Sequence, residues 1–249
     1  MRLSNSLHAI GSDIVNAYLI EDGGAITIVD AGLPGQWNEL VAELGTMGRS
    51  LDDVKALVLT HGDTDHIGFA GRLHRERGVP ILVHELDAPR ARGEVKKSVP
   101  LGKVRIRPFL GFLVYSGPRG GLRVPLVPEV VPIHGSTTLD IPGSPRVIDM
   151  PGHTPGSVGY LFAGVDAVFV GDAMTTKSVL TGATGPGPAP FTIDQPGALA
   201  SIGRLDEIQV TWVLPGHGPA WNGGVAEAVR RYRAAAGAVK GPDLARASS

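Results

Sequence analysis

Two apolar, β-prone runs, Ile14 to Ile20 and Ala25 to Asp30, flank Glu21-Asp22-Gly23-Gly24 near the start of the chain. An Asp-Gly pair between such runs predicts a tight hairpin. Trp37, Leu40, Val41 and Leu44 then recur at helical spacing between Gly35 and Met47, after a Pro-Gly start. From Asp52 to Thr60 the pattern changes to a short strand. Its centre, Ala56-Leu57-Val58-Leu59, is apolar throughout, as expected of a strand covered on both faces. A helix from about Ile67 to Arg77, stopped by Gly78, and a strand from Val79 to His84 complete the first third. The last third has the same style. It has strands at Arg146 to Asp149, Ser157 to Ala163, Ala167 to Val170 and Val210 to Leu214, and helices at Gly197 to Ile208 and Val225 to Ala238. Two halves of mixed strand and helix, with no sequence repeat between them, predict an α/β (α+β) fold in which two mixed β-sheets pack face to face with helices outside.

The middle breaks this rhythm. Between Arg90 and Glu129 stand nine Lys/Arg (90, 92, 96, 97, 103, 105, 107, 119 and 123) against Glu94 and Glu129, and the same stretch holds the apolar run Phe109 to Tyr115. It reads as a basic and apolar insertion, about residues 90–131, in a single domain spanning residues 1–240. Thr181 to Pro190, rich in Gly and Pro, reads as irregular, and the polar tail 241–249 is expected to fray.

Composition narrows the chemistry. The 249 residues include 35 Gly and 20 Pro, which implies many tight turns, and only 5% aromatics, so the core must be mainly aliphatic. A formal net charge of −1 offers no global field to nucleic acid, and no nucleic-acid partner is expected. With no Cys, disulfides, thiol nucleophiles and iron–sulfur clusters are excluded, and any transition metal must sit on His, Asp or Glu. No run approaches 18 apolar residues and the start lacks a signal-peptide pattern, so no integral membrane segment and a cytoplasmic location are expected.

Thr60-His61-Gly62-Asp63-Thr64-Asp65-His66 directly follows the buried strand and places four potential ligands within six residues. His and carboxylate together suit zinc, iron, manganese or cobalt. Alone, the segment also fits a polar loop with two exposed histidines. Three more segments favour metal: Pro-Gly-His-Thr-Pro-Gly around His153, Gly-Asp at Asp172, and Pro-Gly-His at His217, each at the end of a predicted strand.

The order His-x-Asp-x-Asp-His, Pro-Gly-His-Thr-Pro-Gly, Gly-Asp, Pro-Gly-His resembles that of the metallo-β-lactamase superfamily, and the likeness runs from Val29-Asp30-Ala31-Gly32 to His217. The resemblance implies an αββα sandwich with the site at one edge, between the sheets. It implies that His61, Asp63 and His153 bind one metal, that Asp65, His66 and His217 bind the other, and that Asp172 bridges both. Asp30 matches the family's buried aspartate that hydrogen-bonds the ligand loop and fixes its orientation. Asp63 departs from the usual pattern, which has His there. A carboxylate can ligate through oxygen and favours a harder ion; the alternative is that Asp63 points away and the first site is weak.

By the same resemblance, two divalent ions, zinc first with iron or manganese as alternatives, would share a water, and the hydroxide so formed would attack a carbonyl or phosphoryl centre. Asp65 would orient that water as the catalytic residue. Tyr115, Tyr160, Thr175 and Lys177 are unranked proton donors, and His8, His74, His84 and His134 are expected to be ordinary surface or hydrogen-bonded histidines. The expected partner is a small-molecule substrate: a lactone, ester or thioester with an apolar tail. Phe109, Phe112 and Tyr115 of the insertion are candidates to line its pocket, with a homodimer interface or a simple surface excursion as the equal alternative. Fold does not choose among chemistries. A β-lactamase, a phosphodiester hydrolase, a mononuclear-iron persulfide-type dioxygenase and a non-catalytic metal-binding relative stay open.

Overall fold

The computed structural model describes residues 1–95 and 104–240, with side chains to residue 237. Lys96, Lys97 and Lys103 of the basic segment, and the tail expected to fray, lie outside these. The strands are β1 (Leu7–Gly11), β2 (Asn16–Asp22), β3 (Ala25–Val29), β4 (Val54–Val58), β5 (Ile81–His84), β6 (Val131–Ile133), β7 (Arg146–Asp149), β8 (Val158–Phe162), β9 (Ala167–Gly171), β10 (Thr175–Lys177), β11 (Thr184–Gly187) and β12 (Trp212–Pro215). The helices are α1 (Trp37–Thr46), α2 (Ala70–Arg77), α3 (Ala88–Ala91), α4 (Ile106–Ser116), α5 (Gln195–Ser201) and α6 (Val225–Lys240).

One sheet runs β1-β2-β3-β4-β5-β6, antiparallel up to β3 and parallel from β3 to β6. A second runs β12-β9-β8-β7. The alternation of side chains along each strand divides the apolar residues between layers. Ala17, Leu19 and Leu57 pack with Trp37, Leu40, Phe69 and Leu73 of the α1–α2 side. Their neighbours Tyr18, Ile20, Ala56 and Val58 turn the other way and meet Val158, Tyr160, Phe162, Phe169 and Leu214 of the second sheet. Val168, Val170 and Val213 face outward to Ile202, Leu205, Val229 and Tyr232. The result is the αββα sandwich, with both sheets covered by helices. The predicted hairpin joins β2 to β3 through Gly23 and Gly24, whose φ of 57° and 88° suit a two-residue turn.

The structure corrects several expectations. β1 pairs with β2 in register Leu7 to Ile20 and opens the first sheet ahead of the hairpin. Thr181 to Pro190 is not wholly irregular, because Thr184–Gly187 pairs antiparallel with β10 across a register shift. The apolar run of the insertion is helical, as α4. The helix expected from Ile67 starts at Ala70, and that expected over Gly197 to Ile208 is α5 continued by a 3-10 turn, Ile202–Leu205. Among the described residues, no helix is long and apolar enough to cross a membrane.

Candidate metal centre

Every candidate ligand lies on a turn just beyond the end of a strand, residues 61–66 after β4, His153 after β7, Asp172 after β9 and His217 after β12, and Asp30 follows β3 in the same way. These ends converge at one edge of the sandwich. His61, His66, His153, Asp172 and His217 are buried, and Asp63 and Asp65 are partly exposed. Gly216 shows how tightly the turns close in. A Cβ there would lie 2.4 Å from His66 Cε1 and 2.6 Å from Asp172 Oδ1, so no larger residue fits before His217.

Three overlapping groups each bring one ligand atom per residue within 4.8 Å of the others: His61–Asp63–His153, Asp65–His66–His217 and His61–His66–Asp172. In the first, Asp63 Oδ2 is 3.3 Å from His153 Nε2 and 3.7 Å from His61 Nε2. In the second, Asp65 Oδ2 is 3.3 Å from His217 Nε2. Asp172 spans the two, with Oδ2 3.6 Å from His153 Nε2 and 3.3 Å from His217 Nε2, and Oδ1 3.6 Å from His66 Nε2. Ligand bonds of about 2.0–2.2 Å around a tetrahedral ion put donors roughly 3.3–3.6 Å apart, so these spacings suit a metal. His61 Nε2, His66 Nε2 and Asp172 Oδ1 are buried with no hydrogen-bond partner, which is costly unless something else is bound.

The other nitrogen of each imidazole is held from outside. Asp30 Oδ2 pairs with His66 Nδ1 at 2.9 Å, and the Thr60 hydroxyl lies 3.1 Å from His61 Nδ1. Thr192 Oγ1 is 3.2 Å from His153 Nδ1, and the Ile14 carbonyl pairs with His217 Nδ1. Tyr18 and Asn16 of β2 donate to the Pro215 carbonyl, so the first sheet also grips the turn that carries His217. Asp30 itself has φ 61°, a left-handed conformation that Asp tolerates better than most residues, and it faces the ligand loop.

Burial disfavours a charged imidazole at His61, and the neighbouring His66 charge adds to this, so its pKa falls well below the usual value. At His66 burial acts in the same sense, but the charge and hydrogen bond of Asp30 outweigh it and raise the pKa to about 9. Burial likewise opposes ionisation of Asp65 and Asp172. The hydrogen bond from His217 and the charges of His66 and His217 bring Asp65 to about 2, and the His217 charge holds Asp172 well below the carboxylate range.

Two of the candidate proton donors and the other four histidines have partners of their own. Tyr160 is buried and donates to the Leu59 carbonyl at 2.8 Å, and Lys177 pairs with Asp13. His8 meets Glu43, His74 meets the Val79 carbonyl and Glu129, His84 lies by Asp149, and His134 by Glu85. Phe109, Phe112 and Tyr115 are half-buried on α4, with the Arg119 guanidinium stacked on the Tyr115 ring. Sequence reasoning missed Asp87. This fully buried carboxylate accepts from the Gly62 N–H at 2.7 Å, the Thr154 hydroxyl at 2.8 Å and the Gly156 N–H at 2.9 Å, linking the loops of His61 and His153. In sequence, Asp87-Ala88-Pro89 reads only as a helix cap followed by a proline.

The chain matches the family model described as the metallo-beta-lactamase superfamily over residues 10–217. It is 28% identical over 232 residues to the probable metallo-hydrolase YflN of Bacillus subtilis (strain 168), covering 86% of this chain and 84% of the relative. The probable metallo-hydrolase YybB of the same organism is 25% identical over 205 residues, covering 82% and 80%. Among solved structures, the metallo-beta-lactamase family protein TTHA1429 from Thermus thermophilus is similar with a TM-score of 0.70 and 21% identity, over 95% of this chain and 81% of that one. TTHA1623, solved in a di-iron-bound form, is similar with a TM-score of 0.58 and 28% identity, over 86% and 93%.

Proposed function

Because the chain belongs to the metallo-β-lactamase superfamily, we propose that it is a two-metal hydrolase of a small ester-type substrate: a lactone, ester or thioester with an apolar tail. The observation that carries this is the pair of three-residue groups, His61–Asp63–His153 and Asp65–His66–His217, with Asp172 within 3.6 Å of a histidine of each and three buried polar atoms that lack hydrogen-bond partners. His61, Asp63 and His153 would hold one ion, Asp65, His66 and His217 the other, and Asp172 both. Zinc is the first expectation, and the di-iron form of TTHA1623 makes iron the main alternative. Bound there, the ions would lower the pKa of a water toward neutrality and polarise a substrate carbonyl.

The chain's own residues then have distinct tasks. Asp65 keeps 24% of its side chain exposed, more than any other member of the cluster. Its low pKa leaves it an acceptor at neutral pH, suited to orient a water. Asp30, Thr60, Thr192 and the Ile14 carbonyl fix the imidazoles so that one nitrogen of each faces inward. α4 is tied at its start to the Leu180 carbonyl through the Arg105 N–H, and the carbonyl of Arg119, just after it, accepts the Gly35 N–H. Its ends thus attach to the segments that follow Asp172 and Asp30, which supports a role for Phe109 and Phe112 in covering an apolar tail. The exposure of Ile106, Leu110 and Val114 on the same helix favours a second reading, a contact between two copies.

Elemental analysis of protein purified without added metal, and again after reconstitution, tests the centre. About two ions per chain, with turnover in a panel of lactones, esters and thioesters of graded chain length, is the expected result. One ion or none after reconstitution would overturn it.

A further inference from the structure

We infer that Arg90 is a positioning residue that allows an aspartate to serve as ligand at position 63, with Asp87 as the anchor that sets it there. The inference rests on the two-metal reading above. Arg90 leaves only 9% of its side chain exposed, and its Nη1 donates to Asp63 Oδ1 at 3.2 Å. The other oxygen, Oδ2, is the one turned toward His153 and His61. The guanidinium therefore divides the carboxylate, holding one oxygen and presenting the second to the metal group.

Chemistry gives this contact two effects. An aspartate is shorter than histidine and has two equivalent oxygens, so a fixed donor on one of them selects the other for the metal. Aspartate also adds a negative charge that a neutral imidazole would not, beside the buried His61 and His153. A buried charge needs a partner, and one guanidinium restores the formal charge of a three-imidazole group. The position of Arg90 is itself determined. It lies three residues beyond Asp87, within α3, and the Asp87 side chain does not cap that helix. Asp87 instead binds Gly62, between His61 and Asp63, and Thr154, next to His153. One short segment thus ties down the loops of all three members of the group. Asp30 plays the matching part for His66.

The test is Arg90→Met in the natural chain and in an Asp63→His background. Metal content, chelator competition and the absorption spectrum of the cobalt-substituted protein are read for each. In the natural chain, Arg90→Met should weaken one of the two ions about 10–100-fold, the scale of losing a ligand's supporting hydrogen bond, and change the cobalt bands. In the Asp63→His background the same change should alter affinity within about 2-fold, as expected when two positions no longer interact. Arg90→Lys, which keeps charge but not the planar fork, should recover only part of the loss. No loss in the natural chain, or equal losses in both backgrounds, would overturn the role. Failure of the two-metal reading is distinct, because it would already show in the unsubstituted protein as fewer than two ions.

Discussion

Asp30 and Thr60 lie just beyond the ends of neighbouring parallel strands, and the Asp30 carboxylate accepts both the Thr60 N–H and the Thr60 hydroxyl at 2.8 Å. The ligand loop is therefore clamped at its first residue to the end of β3, and the same carboxylate orients His66. Asp30→Ala would leave the buried Thr60 N–H without an acceptor, at about 1–3 kcal/mol. It should also weaken the ion on His66 about 10–100-fold. Urea unfolding and chelator titration check the two effects, and an unchanged metal affinity would remove Asp30 from the site.

Asp172 reaches both groups, so its loss should differ in kind from that of other ligands. Asp172→Ala should lower the content to one ion or none and reduce hydrolysis at least ~100-fold. Asp63→Ala should spare the ion on Asp65, His66 and His217. Elemental analysis of the two variants side by side checks this, and two ions retained in Asp172→Ala would contradict it.

The metal-free protein should be most stable near pH 6.5, the ordinary histidine value. The pKa of His66 is raised on folding to about 9, so its contribution is complete below the unfolded value and disappears as pH rises through about 9. His61 is shifted the opposite way, so stability also falls as pH drops below about 6.5, where the unfolded chain takes up a proton that the folded site refuses. Denaturant midpoints across pH 5 to 10 measure both arms. With metal bound the decline above neutrality should vanish, because a ligating imidazole has already given up its proton.

On α4, Phe112→Ala should reduce kcat/KM for a long-chain ester about 10-fold, the scale of partly burying one aromatic ring, while leaving an acetyl ester nearly unchanged. Equal effects on both would assign Phe112 to packing rather than to the substrate.

Much of this was legible in the sequence because strand ends and ligands coincide. The apolar runs of β2 to β4 and the mixed strand and helix order of both halves pointed to the layers, and Pro-Gly or Gly frames marked His153, Asp172 and His217. The missed elements lack such marks. β1 reads Leu-His-Ala-Ile-Gly, with a single β-branched residue, and β11 reads Thr-Gly-Pro-Gly, which has almost no strand propensity and is held by pairing to β10 and packing against α6. Asp87 and Arg90 were invisible for another reason. A capping aspartate and a surface arginine have the same local pattern whether or not a distant loop folds back onto them, and Asp87 meets Thr154 across 67 residues.

The convergence of the turns has a mechanical consequence. His61, Asp63, Asp65 and His66 follow a strand of one sheet, while His153, Asp172 and His217 follow strands of the other. Ions held between them would rivet the two halves of a chain that has no cysteine to do so. One rivet would close the loop from residue 61 to residue 153 and the other that from residue 65 to residue 217, each in a reversible way. A chelator would then act on this protein as a reductant acts on a disulfide-bonded one, loosening the sandwich as well as stopping its chemistry.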